Sequence, residues 1–409
     1  MPPKYEQRDA AAFAAARAAC FAGLRDREGL MKKPILFVAT GVSGTEGGIA
    51  SANRNVLAAL QAVGAETGRR VRTIVLTEPA MRQPGYRAFG NDKLTFAVAT
   101  LAGLASASLV VFDHVHLAPP MFALPSGIRP PIVICAHGSE SARRIRPTSI
   151  RAFRAADLVL ANSHYTLGRM RAVMPPFKGV ACPLGLPPQF ALTSAPPVQS
   201  EADIRLEAAD GVVRPLGSRA CLLVGRMDAG EREKGHREML AAMPDLAARF
   251  PEAQLVLAGG GSDLEPLRAL ARSSPVASRI FLTGRVSDET LEALYQRAYV
   301  FAMPSRQEGF GLTYLEAMNQ GRACIACRED GGADVIVEGE TGLLVGQPID
   351  PAELLAALCR LMADPALTRR LGEAGWARVA DQFSAGAHQA RVVGLVRPLL
   401  ESRRSAGDA

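Results

Sequence analysis

The sequence predicts an α/β protein with two doubly wound domains, and three observations lead to this prediction. Short apolar runs, typical of buried parallel strands, alternate with longer segments that have helical spacing. The alternation occurs in two stretches, separated by a segment rich in Pro, Gly and Ser between Pro183 and Gly217. The length of 409 residues fits two or three domains of ordinary size. Alternating strands and helices are typical of parallel sheets with helices on both faces.

In the first stretch, the strands are predicted from apolar runs and the helices from their spacing. The strands are Ile35–Ala39, Val71–Leu76, Leu109–Phe112, Ile132–Cys135 and Leu158–Ala161, and the helices include Gly48–Val63 and Ile150–Ala156. The uncharged run Leu94–Phe112 is nominally long enough to span a bilayer, which takes ~20 residues. Its Ala, Ser, Thr and Gly content instead favours a buried helix to about Ala105, followed by a strand.

The second stretch repeats this pattern from Ala220 onward. Its predicted strands are Ala220–Val224, Gln254–Ala258, Ile280–Thr283, Tyr299–Met303 and Ala323–Ala326. Its predicted helices are His236–Phe250, Asp263–Ala271, Thr290–Arg297, Leu312–Gln320 and Ala352–Leu361. We therefore expect a helical extension over residues 1–30, a first domain over 31–205, a second domain over 206–380, and a C-terminal helix and tail over 381–409. Translation starts at either Met1 or Met31, and the sequence leaves both open.

Composition excludes several classes of protein. The chain is 48% hydrophobic, which is too apolar for disorder, and its net charge of +7 favours anionic partners only modestly. One Trp and six Tyr do not form a stacking platform for nucleic acid, so we expect no nucleic-acid partner. Seven scattered cysteines, an odd number, do not form a disulfide framework. The charged N-terminus lacks the apolar core of a signal peptide, so a cytoplasmic location is expected.

Familiar nucleotide-binding motifs are absent, although two glycine clusters follow predicted strands. The clusters are Gly41-Val-Ser-Gly44-Thr-Glu-Gly47-Gly48 and Gly259-Gly-Gly261, and neither has GxGxxG spacing. No GxxxxGK[ST] segment occurs. Glycines at strand-to-helix turns let backbone N–H groups approach an anion, but they also serve as ordinary turn residues. Both interpretations stay open for these glycines taken alone.

The most informative segment is Glu308-Gly-Phe-Gly-Leu-Thr-Tyr-Leu-Glu316, which lies between a predicted strand and a predicted helix. Gly309 and Gly311 flank the turn, where helix N–H groups are available to a ligand. Carboxylates such as Glu308 and Glu316 suit ligands rich in hydroxyl groups, although solvated glutamates are common in helices. Upstream, Arg226 ends a strand and Lys234 precedes a helix, so both side chains are candidates for binding a diphosphate.

Together these motifs resemble the retaining GT-B glycosyltransferases, and specifically the large family 4, which includes bacterial mannosyl- and glucosyltransferases. The resemblance extends from about Ile35 to Phe383 and rests most on the E-x7-E element from Glu308 to Glu316. Further matching segments are Gly-Arg226 with Lys234-Gly, Gly-Arg285-Val286-Ser-Asp-Glu, Asp330-Gly-Gly-Ala-Asp-Val-Ile and Gly339-Glu-Thr-Gly-Leu-Leu-Val. The resemblance implies a GT-B fold, in which two Rossmann-like domains face each other across a cleft.

The resemblance also implies roles for individual residues in binding a nucleotide-diphosphate sugar. Arg226 and Lys234 would neutralise the diphosphate, Glu316 would bind the ribose hydroxyls, and Glu308 would orient the donor sugar. The remaining residues implied for donor binding are the backbone N–H groups of Phe310, Gly311 and Leu312, the base neighbours Arg285 and Val286, and the glycine turn Gly47-Gly48.

In the first domain, Val133-Ile-Cys-Ala-His137-Gly-Ser-Glu140 is similar to the family's His-Gly-x-Glu element. The resemblance implies that His137 contacts the donor sugar and its developing positive charge, and it favours mannosyl transfer. UDP-glucose, UDP-galactose and GDP-mannose all remain candidate donors. The family's reaction is a front-side displacement with retention, in which the departing phosphate takes the acceptor proton. No divalent metal and no cofactor are expected, and Asp113-His-Val-His116 is interpreted as packing or acceptor contact.

The acceptor is expected to be a glycan or a lipid-linked molecule of polysaccharide or glycolipid biosynthesis. A basic stretch, Ser141–Lys178, directly follows the His137 element. Its proposed membrane or acceptor patch comprises Arg143, Arg144, Arg146, Arg151 and Arg154. A solvated face and contact with an anionic surface are both compatible with this pattern. Contact would place the protein peripherally on the inner leaflet of the cytoplasmic membrane.

Three other functions compete with glycosyl transfer to such an acceptor. Sugar-nucleotide epimerases share the fold but lack E-x7-E in this setting, and they act without an acceptor. Enzymes of glycogen or trehalose synthesis or phosphorolysis use soluble glucans or glucose. A basic nucleic-acid-binding protein is disfavoured because the chain carries no reader motif.

Overall fold

The computed structural model describes residues 32–43, 48–138, 145–230 and 233–401. These residues form two compact units: unit 1 contains the described residues up to Pro188 and those from Ala385 onward, and unit 2 is Gln189–Ser384. Residues 189–205, assigned above to the first domain, lie in unit 2 because their hydrogen bonds are made there. Thr193 Oγ1, for example, donates to the Asn319 carbonyl at 3.2 Å. The expected extension over 1–30 and the tail beyond Glu401 lie outside the described residues.

Unit 1 contains an eight-stranded sheet of order β3-β4-β2-β1-β5-β6-β7-β8. The strands are β1 (Ile35–Ala39), β2 (Val71–Val75), β3 (Met81–Gln83), β4 (Tyr86–Ala88), β5 (Leu109–Phe112), β6 (Ile132–Ala136), β7 (Leu158–Ala161) and β8 (Gly179–Ala181). The helices from this part of the chain are α1 (Gly48–Thr67), α2 (Lys93–Ser106), α3 (Pro147–Ala155) and α4 (His164–Val173). All pairs are parallel except β3 with β4.

The sheet of unit 1 has a hydrophobic core on each face, as its strand composition predicts. In β1, Ile35 and Phe37 belong to the cluster that includes α1 side chains, while Leu36 and Val38 belong to the cluster with α2 and α3. Because successive strand residues point to opposite faces, a strand that is buried on both sides must be apolar throughout. The continuous apolar runs in the sequence therefore correspond to doubly covered strands.

Unit 2 has a six-stranded parallel sheet of order β13-β12-β11-β14-β15-β16 and a small antiparallel pair, β9 with β10. The strands are β9 (Arg205–Glu207), β10 (Val213–Pro215), β11 (Ala220–Val224), β12 (Gln254–Ala258), β13 (Ile280–Gly284), β14 (Val300–Ala302), β15 (Ala323–Cys327) and β16 (Gly342–Val345). The helices are α5 (His236–Arg249), α6 (Leu264–Arg272), α7 (Asp288–Arg297), α8 (Leu312–Asn319), α9 (Gly332–Val335), α10 (Pro351–Ala363) and α11 (Pro365–Arg378). The predicted α/β alternation is confirmed in both units.

The C-terminal helix, expected with its tail over 381–409, begins only at Ala385. Helix α11 ends at Arg378, a π-helical turn covers Val379–Phe383, and Ser384 has extended backbone before α12 (Ala385–Glu401) begins. In the turn, the Phe383 ring packs edge-on against Phe310 with centroids 5.8 Å apart. This packing within unit 2 holds the widened turn, whereas α12 belongs to unit 1 and packs on α1.

The glycine cluster at 259–261 allows two loops of unit 2 to touch through their backbones. A Cβ atom on Gly259, which has a φ of +142°, would lie 1.9 Å from the carbonyl oxygen of Gly225. The Met227 N–H donates to the Gly260 carbonyl at 3.0 Å, continuing the pairing beyond the strands. Gly259 and Gly261, whose added Cβ would lie 2.3 Å from the Met227 carbonyl oxygen, are therefore required by close backbone packing after β11 and β12.

We expect Gly259→Ala to lower the free energy of unfolding by more than about 2 kcal/mol, because both the φ and the contact exclude a methyl group. Scanning calorimetry would show a lower Tm for the variant. Gly394→Ala is the matched control, since a Cβ there meets nothing within 4 Å. Equal Tm values for the two variants would contradict this account of the turn.

Candidate active site

Predicted donor-binding residues of unit 2 lie at the carboxyl edge of its sheet. Arg226 follows β11, and the segment from Glu308 to Leu312 follows β14, which is the neighbour of β11. Strand β11 lies between β12 on one side and β14 on the other, so the chain changes direction across the sheet here. Loops that follow the strands at such a switch point form the usual ligand crevice of a doubly wound sheet.

A backbone hydrogen bond and a close packing contact join the loops that carry Lys234 and Glu308. The Arg306 N–H donates to the Glu233 carbonyl at 2.7 Å. Gly235, with a φ of +84°, packs so closely on Pro304 that an added Cβ would lie 2.6 Å from the ring. This contact brings Lys234 Nζ to 2.5 Å from Glu308 Oε2.

The ion pair of Lys234 and Glu308 is only partly accessible to water, with side-chain exposures of 22% and 17%. Arg226 is 64% exposed and lies 3.8 Å from the Asp228 carboxylate. The structure therefore joins two of the predicted residues directly, and it places Arg226 at the same edge in a separate ion pair. Two cations of this kind suit a diphosphate, because Arg binds oxygens through a fork and Lys as a point charge.

Helix α8 begins at the E-x7-E segment, and Gly311 sets its start. Gly311 has a φ of +94°, and a Cβ there would lie 2.3 Å from the Tyr314 ring. The side chains of Phe310 and Leu312 are buried, so these residues offer a ligand their backbone groups only. The first N–H groups of a helix have no acceptor within the helix, and the positive end of its dipole favours anions.

Glu316 lies within α8 and is buried. Its Oε2 accepts a hydrogen bond of 2.7 Å from the Tyr295 hydroxyl. Burial raises the pKa of Glu316 from 4.5 to about 7, against the opposing effect of the Tyr295 hydrogen bond. Glu308 and Glu316 thus differ in environment: Glu308 is held in an ion pair, and Glu316 is a carboxyl group with little access to water. Neither is the solvated helix residue that the sequence left open.

Asp330 is a buried acid at the same edge that sequence reasoning did not assign to the site. It follows β15, and its Oδ1 accepts from the Gly332 N–H at 2.7 Å. Its Oδ2 is buried and has no hydrogen-bond partner among the described residues. Burial, with a contribution from nearby Glu308, raises the pKa of Asp330 to about 8. The available signal was a carboxylate directly before two glycines at the end of a buried strand.

Arg285 and Val286 follow β13, between the strand and the start of α7. Arg285 is exposed and Val286 is half-buried. A Cβ on Gly260 would lie 3.7 Å from the Arg285 Cβ, which places Arg285 beside the glycine cluster. The structure therefore brings Arg285 to the same edge of the sheet as Arg226.

In unit 1, His137 follows β6 and joins a buried polar cluster at the carboxyl edge of that sheet. Its Nε2 lies 2.7 Å from the Asp113 carbonyl oxygen, which can only accept, so Nε2 carries the proton. Asp113 is fully buried, and its Oδ2 accepts from the Thr40 N–H and the Asn53 amide, each at 2.7 Å. Burial raises the pKa of Asp113, an effect that these hydrogen bonds and His137 oppose.

The histidines of the Asp113-His-Val-His116 segment pack with each other. The His114 and His116 ring centroids are 4.5 Å apart, and the His116 N–H donates to His114 Nδ1 at 3.2 Å. Among the described residues, no three His, Cys, Asp or Glu side chains are grouped so that they could hold a metal ion.

The predicted glycine turn and basic patch are described only in part. Gly48 is the exposed first residue of α1, whereas Gly47, Arg143 and Arg144 lie outside the described residues. Arg146, Arg151 and Arg154 are exposed, at the start of α3 or within it. The Arg151 guanidinium carbon lies 4.4 Å from the centre of the Phe122 ring. No helix in the described ranges is both long and apolar enough to cross a bilayer.

Solved structures with the same architecture are glycosyltransferases of the GT-B fold. A sucrose-phosphate synthase from Thermosynechococcus elongatus superposes with a TM-score of 0.70 at 23% identity, over 91% of this chain and 100% of that chain. HepE from Anabaena, in a complex with UDP-glucose, gives a TM-score of 0.67 at 16% identity, over 89% of this chain and 99% of that chain. The predicted GT-B fold is confirmed.

Sequence comparison gives the family. Residues 213–378 match the model of the glycosyl transferases group 1 family. A GDP-mannose-dependent α-(1-6)-phosphatidylinositol monomannoside mannosyltransferase from Mycolicibacterium smegmatis is 30% identical over 67% of this chain and 72% of its own length. The chain belongs to this family and is a glycosyltransferase, as its motifs predict.

The raised pKa of Glu316 predicts a pH-dependent effect of Glu316→Gln on stability. The folded-state pKa of about 7 exceeds the ordinary value of 4.5, so the protonated carboxyl stabilises the folded state fully below about pH 4.5. This stabilisation is lost as the pH rises through about 7. Relative to the wild type, we expect Glu316→Gln to be near neutral at pH 5 and a few kcal/mol more stable at pH 8, at ~1.4 kcal/mol per unit.

Thermal unfolding between pH 5 and pH 8, without ligand, measures this difference. Asp330 titrates in both proteins, so its contribution cancels. Exposed Glu373 provides the control variant Glu373→Gln. A difference between wild type and Glu316→Gln that stays constant with pH would show that Glu316 is ionised throughout.

Proposed function

We propose that this glycosyltransferase is a retaining, metal-independent hexosyltransferase. It transfers a hexose from a nucleotide-diphosphate sugar, GDP-mannose first and a UDP-hexose second, to a glycan or lipid-linked acceptor. The observation that carries the proposal is the half-buried pair of Lys234 and Glu308 beside the N-terminus of α8. GDP-mannose is placed first because the mannosyltransferase from Mycolicibacterium smegmatis is described as dependent on it.

In the proposed reaction, the acceptor oxygen forms a bond to the anomeric carbon as the bond from that carbon to the diphosphate oxygen breaks. Both events occur on the same face of the sugar, so the configuration is retained. The acceptor proton passes to the departing phosphate oxygen. No protein side chain needs to act as a nucleophile or base, and the two-carboxylate scheme of glycoside hydrolases does not apply to Glu308 and Glu316.

In this proposal, cationic groups stabilise the negative charge that develops on the leaving diphosphate. Lys234 lies on a loop that is hydrogen-bonded to the loop after β14, and Arg226 lies at the same edge of the sheet. Charge stabilisation by positioned groups acts strongly where water is restricted, and the 22% exposure of Lys234 meets that condition. We assign the neutralisation of the diphosphate to these side chains and to the N-terminus of α8, and not to a metal ion.

The carboxyl groups are assigned to hydroxyl recognition. Glu308, held by Lys234, orients the sugar, and Glu316 accepts from the ribose hydroxyls. Tyr295 fixes Glu316 through its 2.7 Å hydrogen bond, so the carboxyl group is oriented before the nucleotide binds. Arg285 and Val286 contact the nucleotide base, and Gly48 contacts the diphosphate. Unit 1 binds the acceptor in this proposal, and its residue His137 contacts the donor sugar and the positive charge that develops on it. His137, Glu308, Arg226 and Lys234 are the proposed catalytic residues.

A nucleotide panel tests the donor assignment. GDP, UDP, ADP, dTDP and their sugar conjugates are compared by thermal shift in EDTA. The correct nucleotide at 100 times its Kd stabilises the protein by ~2.7 kcal/mol. We expect a response to GDP or UDP and their conjugates, and a loss of affinity of at least about tenfold in Lys234→Ala, because a charge-assisted hydrogen bond contributes ~1.5–3 kcal/mol.

Lys93→Ala, at an exposed lysine of unit 1, is the matched control and is expected to bind as the wild type does. Unchanged nucleotide affinity in Lys234→Ala would contradict the role assigned to Lys234. The absence of a thermal shift with every nucleotide would contradict the donor site itself. With a donor and a glycan or lipid-linked acceptor, NMR of the product linkage determines whether the configuration is retained. Turnover of the sugar nucleotide without acceptor would instead indicate the epimerase alternative.

We further propose peripheral association with the inner leaflet of the cytoplasmic membrane through the exposed arginines of α3. We expect less protein to float with anionic vesicles in the triple variant Arg146→Gln, Arg151→Gln, Arg154→Gln. Each basic residue near an anionic surface contributes ~1 kcal/mol to the free energy of membrane binding. The control with the same change in charge combines Arg272→Gln, Arg369→Gln and Arg370→Gln, all exposed on unit 2. Flotation that is independent of anionic lipid, or equally weakened by both variants, would rule out this assignment.

A further inference from the structure

Unit 1 contains a cavity of about 620 Å³ that lies away from the residues assigned to glycosyl transfer. It is bounded by the hairpin of β3 and β4, by β2, and by one side of α2. Arg72 is the second residue of β2, so the cavity begins near the amino end of that strand. His137 and Asp113, in contrast, follow the carboxyl ends of their strands. The cavity is therefore a separate feature of the sheet.

Three arginines line this cavity, and the strand register places them on one face. Arg87 pairs with Ile74 of β2 and with Arg82 of β3. Arg72 precedes Ile74 by two positions, so it has the same orientation. Ile74 belongs to the core cluster on the α2 side of the sheet, and the arginines therefore face that side too. All three are exposed.

The cavity has positive charge without a matching acid. Its lining residues include no Asp or Glu. Within the described ranges, no ion pair joins Arg72, Arg82 or Arg87 to a carboxylate. Like charges directly opposite each other on antiparallel strands are destabilising, and Arg82 and Arg87 are such a pair. An anion between them would offset this repulsion.

Two contacts orient Arg87 and Arg72 before any ligand arrives. The Arg87 guanidinium carbon lies 4.6 Å from the centre of the Phe89 ring, and Phe89 itself packs edge-on against Phe96 of α2. Arg72 Nη1 lies 3.5 Å from Ser106 Oγ near the end of α2. Stacking on one face of the planar guanidinium leaves its N–H edge available for bidentate binding, which suits phosphate.

Part of the cavity wall is apolar. Leu36 and Ile74 contribute from the sheet, and Ala99 and Ala102 from α2. The small alanine side chains leave room between the helix and the hairpin. A ligand that fits this lining has a phosphate group joined to a carbon body.

We propose that this cavity is a binding site for a phosphate ester, with Arg72, Arg82 and Arg87 holding the phosphate and the apolar wall contacting the carbon part. The ligand is either a free phosphate compound or the headgroup region of a phospholipid. The site does not depend on the proposed glycosyl transfer, because none of its residues belongs to the donor or acceptor assignments.

Calorimetric titration tests this proposal with inorganic phosphate and with monomeric dihexanoyl phosphatidic acid as probes. The protein carries Arg226→Gln and Lys234→Gln, so the donor edge does not bind the probes. We expect saturable binding of one probe per chain. Affinity should fall at least about tenfold when Arg82→Gln and Arg87→Gln are added, because charge-assisted hydrogen bonds are lost. The control adds Arg369→Gln and Arg370→Gln instead, and circular dichroism verifies folding.

The two probes distinguish the sources of the phosphate. Tighter binding of the phosphatidic acid indicates a lipid headgroup and supports contact with the apolar wall. Equal affinities, or tighter binding of inorganic phosphate, indicate a free phosphate compound held by the arginines and overturn the role of the apolar wall. No binding of either probe, or binding that survives the Arg82 and Arg87 substitutions, would overturn the proposal. Nucleotide binding by the wild type is measured separately, so failure of the donor assignment leaves this result interpretable.

Discussion

Close contact between backbone segments at the carboxyl edge of the unit 2 sheet is the constraint on which the candidate site depends. A Cβ added to Gly259 would lie 1.9 Å from the Gly225 carbonyl oxygen. A Cβ added to Gly331 would lie 2.3 Å from the Gly309 carbonyl oxygen. Distances this short exclude every side chain, so glycine alone permits the loops to meet. The contacts after β11, β12 and β15 thereby fix the loops that carry Arg226 and Glu308.

Burial divides the charged groups of that edge into two kinds. The pair of Lys234 and Glu308 keeps partial access to water and a short ion pair. Glu316 and Asp330 lie deeper, and burial raises the pKa values of their carboxyl groups to about 7 and about 8. The ion pair therefore lies where water has partial access, and the deeper carboxyl groups keep their protons to a higher pH than ordinary carboxyl groups do. Raised pKa values of this kind are common at functional sites, because desolvation acts most strongly on the deepest groups.

Prediction of the fold from sequence worked best for strands that are covered on both faces. The runs Ile35–Ala39 and Ala220–Val224 are apolar throughout, and both match the observed strands. The hairpin of β3 and β4 was missed because each strand has only three residues and their side chains are mostly exposed. The break between Arg378 and Ala385 was also missed, since the packing of Phe383 on Phe310 is a contact between distant parts of the chain.

The sequence by itself determined the α/β class and the glycosyltransferase family, and it singled out Arg226, Lys234, Glu308 and Glu316 as candidates, because local periodicity and motif spacing are properties of the chain. The tertiary structure decided which of these side chains meet, and its burial of Glu316 raises the pKa of that carboxyl group. The Lys234 pairing with Glu308 spans 74 positions, and Asp330 enters the site only through folding. The charged lining of the unit 1 cavity likewise depends on strand register. Distance, burial and register arise from packing, and no local pattern in the sequence specifies them.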